Sequence, residues 1–248
     1  MRTAVVTGAA RGIGFAVAEK LLSVGHRVIL LDVLATVHES AKKLNEPSRV
    51  DAFQMDVRNQ DEVRSSLARI VDRYGTLDIV VNVAGTCHRE SFEEMTLENW
   101  RIDVDTNMTG TFLMCQAAVF PYMKQKGYGR IINIASVSGK VGGIGPVHSD
   151  GSGGRSGIAY AASKAGVINM TRWMAKEVGK WGITCNAVLP GPIVTDMTQG
   201  HHYDIDEVPM KRWGTPADVA NAVEFLARES SSYITGSCIH VDGGLVMA

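Results

Sequence analysis

Short, almost wholly apolar runs alternate along the chain with longer stretches in which apolar residues recur every three or four positions. The first pattern suits strands buried on both faces, the second helices with one face turned inward. Runs at Thr3–Thr7, Arg27–Leu31 (ending on Asp32), Val50–Asp56, Leu77–Val81, Arg130–Ser136, Ile183–Leu189 and Ser237–Val241 predict strands. Between them, Ile13, Val17, Leu21 and Val24 stripe one helix. Val63, Leu67, Ile70 and Tyr74 stripe another, behind Asn59 and Glu62 spaced as a capping box. Further helices are predicted at about Leu34–Asn45, Leu97–Gln125 and Ala159–Lys180, and one opened by Thr215-Pro216 with Val219, Val223 and Leu226 inward. Strand and helix alternate throughout, with no repeat and no linker. That predicts one α/β domain over residues 1–248, a doubly wound and mostly parallel sheet.

Composition removes several classes of function. The chain has 248 residues, 45% apolar and 21% charged, with net charge −1 and no basic run, so nucleic acid and anionic membranes are not expected partners. No apolar segment is long enough to span a bilayer, and the first strand begins at Thr3, which leaves no room for a signal peptide. Cys87, Cys115, Cys185 and Cys238 lie far apart with no CxxC pair, which points to free thiols in a reducing cytoplasm and to no metal site.

Three stretches carry chemistry. The turn Thr7-Gly8-Ala9-Ala10-Arg11-Gly12-Ile13-Gly14 joins a strand to a helix, so backbone N–H groups and a positive helix end can meet a phosphate. With Asp32 closing the next strand, the unit reads as a Rossmann-type dinucleotide site. A carboxylate there accepts from both ribose hydroxyls and repels a 2′-phosphate, which favours NAD over NADP; Arg11 pulls the other way. The second stretch is Tyr160-x-x-x-Lys164, one residue above the other on a helix face. An ammonium beside a phenol favours the phenolate, so Lys164 is expected to hold down the pKa of Tyr160. The third is Ser136 at the end of a strand, where ligands of such sheets bind. Ser138, two residues on, would face the same way on an extended chain. Together these predict hydride transfer between a secondary alcohol and a ketone, with Tyr160 as general acid and base and Ser136 donating to the substrate oxygen.

Thr7-Gly8-x-x-x-Gly12-x-Gly14, Asn82-x-Ala84-Gly85, Asn107, Ser136, Tyr160-x-x-x-Lys164 and Pro190-Gly191 together resemble the short-chain dehydrogenase/reductase family over essentially the whole chain. The resemblance implies a Ser-Tyr-Lys triad extended by Asn107, which anchors a water joining the lysine to solvent. It also implies that Asp56 and Val57 meet the adenine ring and that Asn82 to Gly85 line the cofactor. Pro190 and Gly191 follow the family motif, Ile193 and Thr195 match positions that contact the nicotinamide carboxamide, and a homotetramer is expected. Val83 stands where the family commonly has asparagine, and the interval from Ser136 to Tyr160 is longer than usual. The added residues fall in Gly139–Gly157, a glycine-rich loop expected to be a hinged lid over the substrate. His148 and Arg155 on that loop, with His201, His202, Lys211 and Arg212 on the facing Met197–Trp213 segment, could receive an anionic substrate. The leading expectation is an NAD-dependent alcohol dehydrogenase or ketone reductase acting on a small molecule. The alternative is a 3-oxoacyl-[acyl-carrier-protein] reductase, an enzyme that commonly uses NADP; a protein keeping the fold without the chemistry would have lost Tyr160 or Lys164.

Overall fold

A computed structural model describes residues 1–145, 154–200 and 203–247. Seven strands form one parallel sheet in the order β3-β2-β1-β4-β5-β6-β7. They are Thr3–Thr7 (β1), Arg27–Asp32 (β2), Val50–Gln54 (β3), Ile79–Asn82 (β4), Gly129–Ile134 (β5), Ile183–Pro190 (β6) and Cys238–Val241 (β7). Helices between them are Gly12–Ser23 (α1), Val37–Lys43 (α2), Gln60–Tyr74 (α3), Leu97–Val104 (α4), Gly110–Ala118 (α5), Lys124–Lys126 (α6), Ser138–Val141 (α7), Ile158–Val178 (α8) and Pro216–Ala227 (α9). The apolar runs are continuous because alternate residues serve opposite cores. In β1 and β2, Ala4, Val6, Val28 and Leu30 pack towards α1 and α9, where Val17, Leu21, Val219 and Val223 meet them. Val5, Ile29 and Leu31 face the other way, onto Val63, Leu67 and Ile70 of α3 and onto α5 and α8. The strand order reverses between β1 and β4, which opens a crevice at their carboxyl ends.

Several boundaries differ from the sequence pattern. The predicted helix at Leu34–Asn45 shortens to α2, and the Val50 strand stops at Gln54, two residues before Asp56. The helix from Leu97 is interrupted by a wide π turn at Asp105–Thr109, centred on Asn107. Strand β5 ends at Ile134, so Ser136 lies just past it. The largest difference is the glycine-rich stretch. Its first residues form α7, and Gly139 is a packing residue: a Cβ there would come within 2.6 Å of the Ala165 backbone nitrogen on α8. Gly157, at the other end, would place a Cβ 2.0 Å from the His88 carbonyl. Both are glycines because backbone is pressed against them, whereas Gly142 has nothing within 4 Å; residues 146–153 of the predicted lid lie outside the described residues.

Candidate active site

The floor of the crevice is set by β1 and the turn behind it. The buried Thr7 hydroxyl accepts from the N–H groups of Val83 (3.0 Å) and Ala84 (3.2 Å), tying the end of β1 to the chain leaving β4. Gly8 takes a left-handed φ of 62°, and a Cβ on Gly14 would sit 2.1 Å from the Gly8 carbonyl oxygen. Only glycine lets α1 begin so close to the strand. No side chain caps the first turn of α1, so its N–H groups remain available to an anion.

The resulting cleft, about 670 Å³, is lined by Gly8, Arg11, Gly12, Ile13, Gly14, Asp32, Asp56, Val57, Ala84, Gly85 and Thr195 among the predicted cofactor residues. It suits a dinucleotide with phosphates at the α1 end and a ribose at Asp32. Asp32 is itself fixed from both sides, accepting from Ala10 N–H (2.9 Å) and Leu34 N–H (3.0 Å). Both nearby arginines are engaged by acids. Arg11 pairs with Asp196 at 2.7 Å, and Arg58 grips Asp56 through Nε and NH2 at 2.7–3.0 Å, which holds that carboxyl below its usual range.

Other predicted residues lie elsewhere. Asn82 is buried beneath the cleft, donating to Asn133 (2.8 Å) and to the Cys115 sulfur (3.2 Å), so its backbone neighbours Val83 to Gly85 make the wall instead. Pro190, Gly191 and Ile193 are not on that wall: Pro190 ends β6, Gly191 bonds to Val241 across to β7, and Ile193 joins the α1–α9 core. Sequence reasoning missed Thr7, Arg58, Thr86, Cys87, His88 and Asp196. Only the position of Thr7 at a strand end gave a signal; the others depend on loops brought together by the fold.

Ser136, Tyr160 and Lys164 do converge. The Tyr160 phenol hydrogen bonds to Ser136, whose Oγ also accepts from Ser138 N–H at 3.1 Å. Ser138 does not share its direction: Val137 is helical rather than extended, and the Ser138 hydroxyl turns to Ser156 at 2.9 Å. The Lys164 ammonium donates to the Ile134 carbonyl at 2.8 Å and lies 5.6 Å from the centre of the Tyr160 ring. Asn107 clamps two elements to this turn of α8. Its amide donates to the Thr86 carbonyl (3.0 Å) and to Ser163 (2.9 Å), and it accepts from Thr86 N–H (2.9 Å). The π turn swings Asn107 inward, fully buried, which is why an asparagine stands in a helix.

The electrostatics differ from the sequence expectation. The Tyr160 phenol is pushed up, first by burial and then by the neighbouring Cys87 thiol and Tyr203; Ser136 and Arg89 oppose this. Lys164 is brought down to about 8 by its own burial. Desolvation therefore outweighs the attraction between ammonium and phenolate in the protein alone. Part of Tyr160 stays exposed, and that limits how far burial can act.

Of the substrate residues, Arg155 is exposed, its stem against Gly143, while His148, His201 and His202 lie outside the described residues. Lys211 and Arg212 turn away, to the Asp206 carbonyl and in a bidentate pair to Asp218.

The family model described as Enoyl-(Acyl carrier protein) reductase matches residues 8–246. The chain belongs to the short-chain dehydrogenase/reductase family. A 3-oxoacyl-[acyl-carrier-protein] reductase from Synechocystis is 38% identical, with 99% of this chain and 97% of that protein covered. One from Staphylococcus aureus is also 38% identical, with 99% and 98% covered. Among solved structures, the protein gox2181 has a TM-score of 0.89 at 36% identity, covering 98% of this chain and 95% of that one. A candidate gluconate dehydrogenase from Agrobacterium tumefaciens has a TM-score of 0.89 at 32% identity, with 100% and 96% covered. This short-chain dehydrogenase/reductase is accordingly an oxidoreductase acting on CH–OH donors with a nicotinamide cofactor. No helix among the described residues is long and apolar enough to cross a membrane.

Proposed function

We propose that this protein reduces the ketone of a 3-oxoacyl compound to the 3-hydroxyacyl alcohol. The observation that carries the reading is the convergence of Tyr160, hydrogen-bonded to Ser136 past the end of β5, with Lys164 one turn on, in a chain similar throughout to reductases named for that reaction. A phenol that stays protonated at neutral pH is suited to giving a proton to the carbonyl oxygen. The bound nicotinamide supplies the hydride. Ser136, its oxygen held by Ser138 N–H, keeps its own proton to donate where negative charge develops. Lys164 ties the first turns of α8 to the end of β5, and Asn107 ties them to Thr86 on the chain that leaves β4, which fixes Tyr160 relative to the cleft.

For the cofactor we propose NAD(H) over NADP(H). Asp32 presents a carboxylate where a 2′-phosphate would lie, and Arg11 and Arg58 are neutralised by Asp196 and Asp56 rather than free to hold that phosphate. The same residue favours a second reading, an NAD-dependent secondary-alcohol dehydrogenase. Absorbance of the reduced cofactor decides between them. A 3-oxoacyl thioester and its free acid should consume NADH faster than NADPH at equal low concentration. Oxidation of simple secondary alcohols with no 3-oxoacyl turnover would select the second reading, and faster turnover with NADPH would remove the role given to Asp32. We also propose a homotetramer, supported by Phe112 on α5 and Trp173 on α8, large apolar side chains 43% and 68% exposed; a monomer by sedimentation would count against it.

A further inference from the structure

The chain leaving β4 runs along the start of α8. The Gly157 carbonyl caps that helix, its N–H reaches the Cys87 sulfur, and its missing side chain makes room for the His88 carbonyl. Arg89 follows directly. Its guanidinium donates to the Tyr203 hydroxyl at 2.6 Å and to the Gly154 carbonyl at 3.2 Å. Tyr203 is in turn set by Trp213, edge to face with ring centres 5.3 Å apart. Arg89 is half-buried, yet no carboxylate among the described residues pairs with it, whereas Arg58, Arg212 and Arg228 each hold one. A guanidinium has five N–H groups, and Gly154 and Tyr203 take two of them. A partly desolvated cation with donors to spare and no counter-ion among the described residues favours an incoming anion. The chain neighbour of Arg89, His88, packs on Gly157, three residues before Tyr160, which brings this stretch to the start of the helix that carries the reacting group.

We propose that Arg89, oriented by Tyr203, binds a carboxylate of the substrate, so that the preferred substrate is a free oxo acid rather than its neutral thioester or ester. The inference rests on the ketone-reductase reading and gives Arg89 the place that sequence pattern assigned to Arg155. An arginine fork donates two parallel hydrogen bonds to a carboxylate, and that fixes the distance from the acid carbon to the ketone. With the carboxylate held there, the ketone is aligned with Tyr160 by the substrate's own length.

The test compares acetoacetate with methyl acetoacetate, which differ at the carboxyl group alone, in NADH-supported turnover and in calorimetric binding to the protein with oxidised cofactor. Native protein should prefer the acid in both. Arg89→Ala should raise KM for the acid about ten- to a hundredfold, the range for a charge-assisted hydrogen bond, and change that of the ester far less. Arg89→Lys should retain part of the preference, and Tyr203→Phe should weaken it without abolishing it. Equal losses on acid and ester would make Arg89 a clasp between two loops and overturn the proposal, as would native protein binding both alike. If neither ketone is turned over, the ketone-reductase reading fails. Calorimetry still decides the anion site, according to whether the acid binds native protein more tightly than Arg89→Ala.

Discussion

Burial decides the behaviour of the charged residue at the centre of this site. Lys164 titrates at about 8 in the folded protein against 10.5 for a free lysine. Between those values the unfolded chain holds a proton that the native chain has lost, so stability from this residue rises with pH through that window. Below about pH 8 both states are protonated and the full cost of a buried ammonium is present. Lys164→Met should therefore gain stability relative to native protein below pH 8, by a ceiling of about 3 kcal/mol at 1.36 per pKa unit. The gain should shrink towards pH 10.5. Losing the bond to the Ile134 carbonyl offsets part of the gain, more where the donor is an ammonium than where it is an amine. Denaturant titrations at pH 7 and pH 10 check this, and a difference that does not change with pH would contradict it. The same competition explains what the sequence spacing could not supply. Tyr-x-x-x-Lys shows that two groups share a helix face, but not how much water each loses, and it is that loss which reverses the expected shift of Tyr160.

At the scale of elements, the parts legible in the sequence were those fixed by local rules. The glycine turn, Asp32 at a strand end and the capped starts of α3 and α9 follow from backbone geometry within a few residues, and each is found where the pattern puts it. Asn107 was marked by the family resemblance; that it clamps Thr86 and Ser163 depends on three elements meeting. Arg89 and Tyr203 were invisible for the same reason, being 114 residues apart and joined by one hydrogen bond. Composition cannot separate glycines that permit motion from glycines that permit contact, and the middle of the predicted lid lies outside the described residues. Gly139 is of the second kind, so Gly139→Ala should cost about 1–3 kcal/mol, since the backbone of α8 cannot yield as a side chain would. Because that strain falls on the turn carrying Lys164, turnover should drop with stability. Thermal melts and steady-state rates measure both, and an unchanged melting temperature would show that α7 is free to move.

Across the whole molecule, a sheet that reverses its order between β1 and β4 gathers a phosphate cradle, a ribose acid and a proton donor along one edge. Thr86, Cys87 and His88, on the chain leaving β4, complete the wall of the cleft, and Arg89 follows them. Proton transfer from Tyr160 to the ketone oxygen is the step we propose for this arrangement. It is tested most directly by the rate at which Tyr160→Phe consumes NADH with a 3-oxoacyl substrate, offered as free acid and as thioester, beside the native protein. Loss of one proton-transferring hydroxyl should lower kcat at least about a hundredfold, with NADH affinity within a few-fold of native, because the ring and its packing remain. A Tyr160→Phe protein that reduces the ketone at close to the native rate would contradict the account.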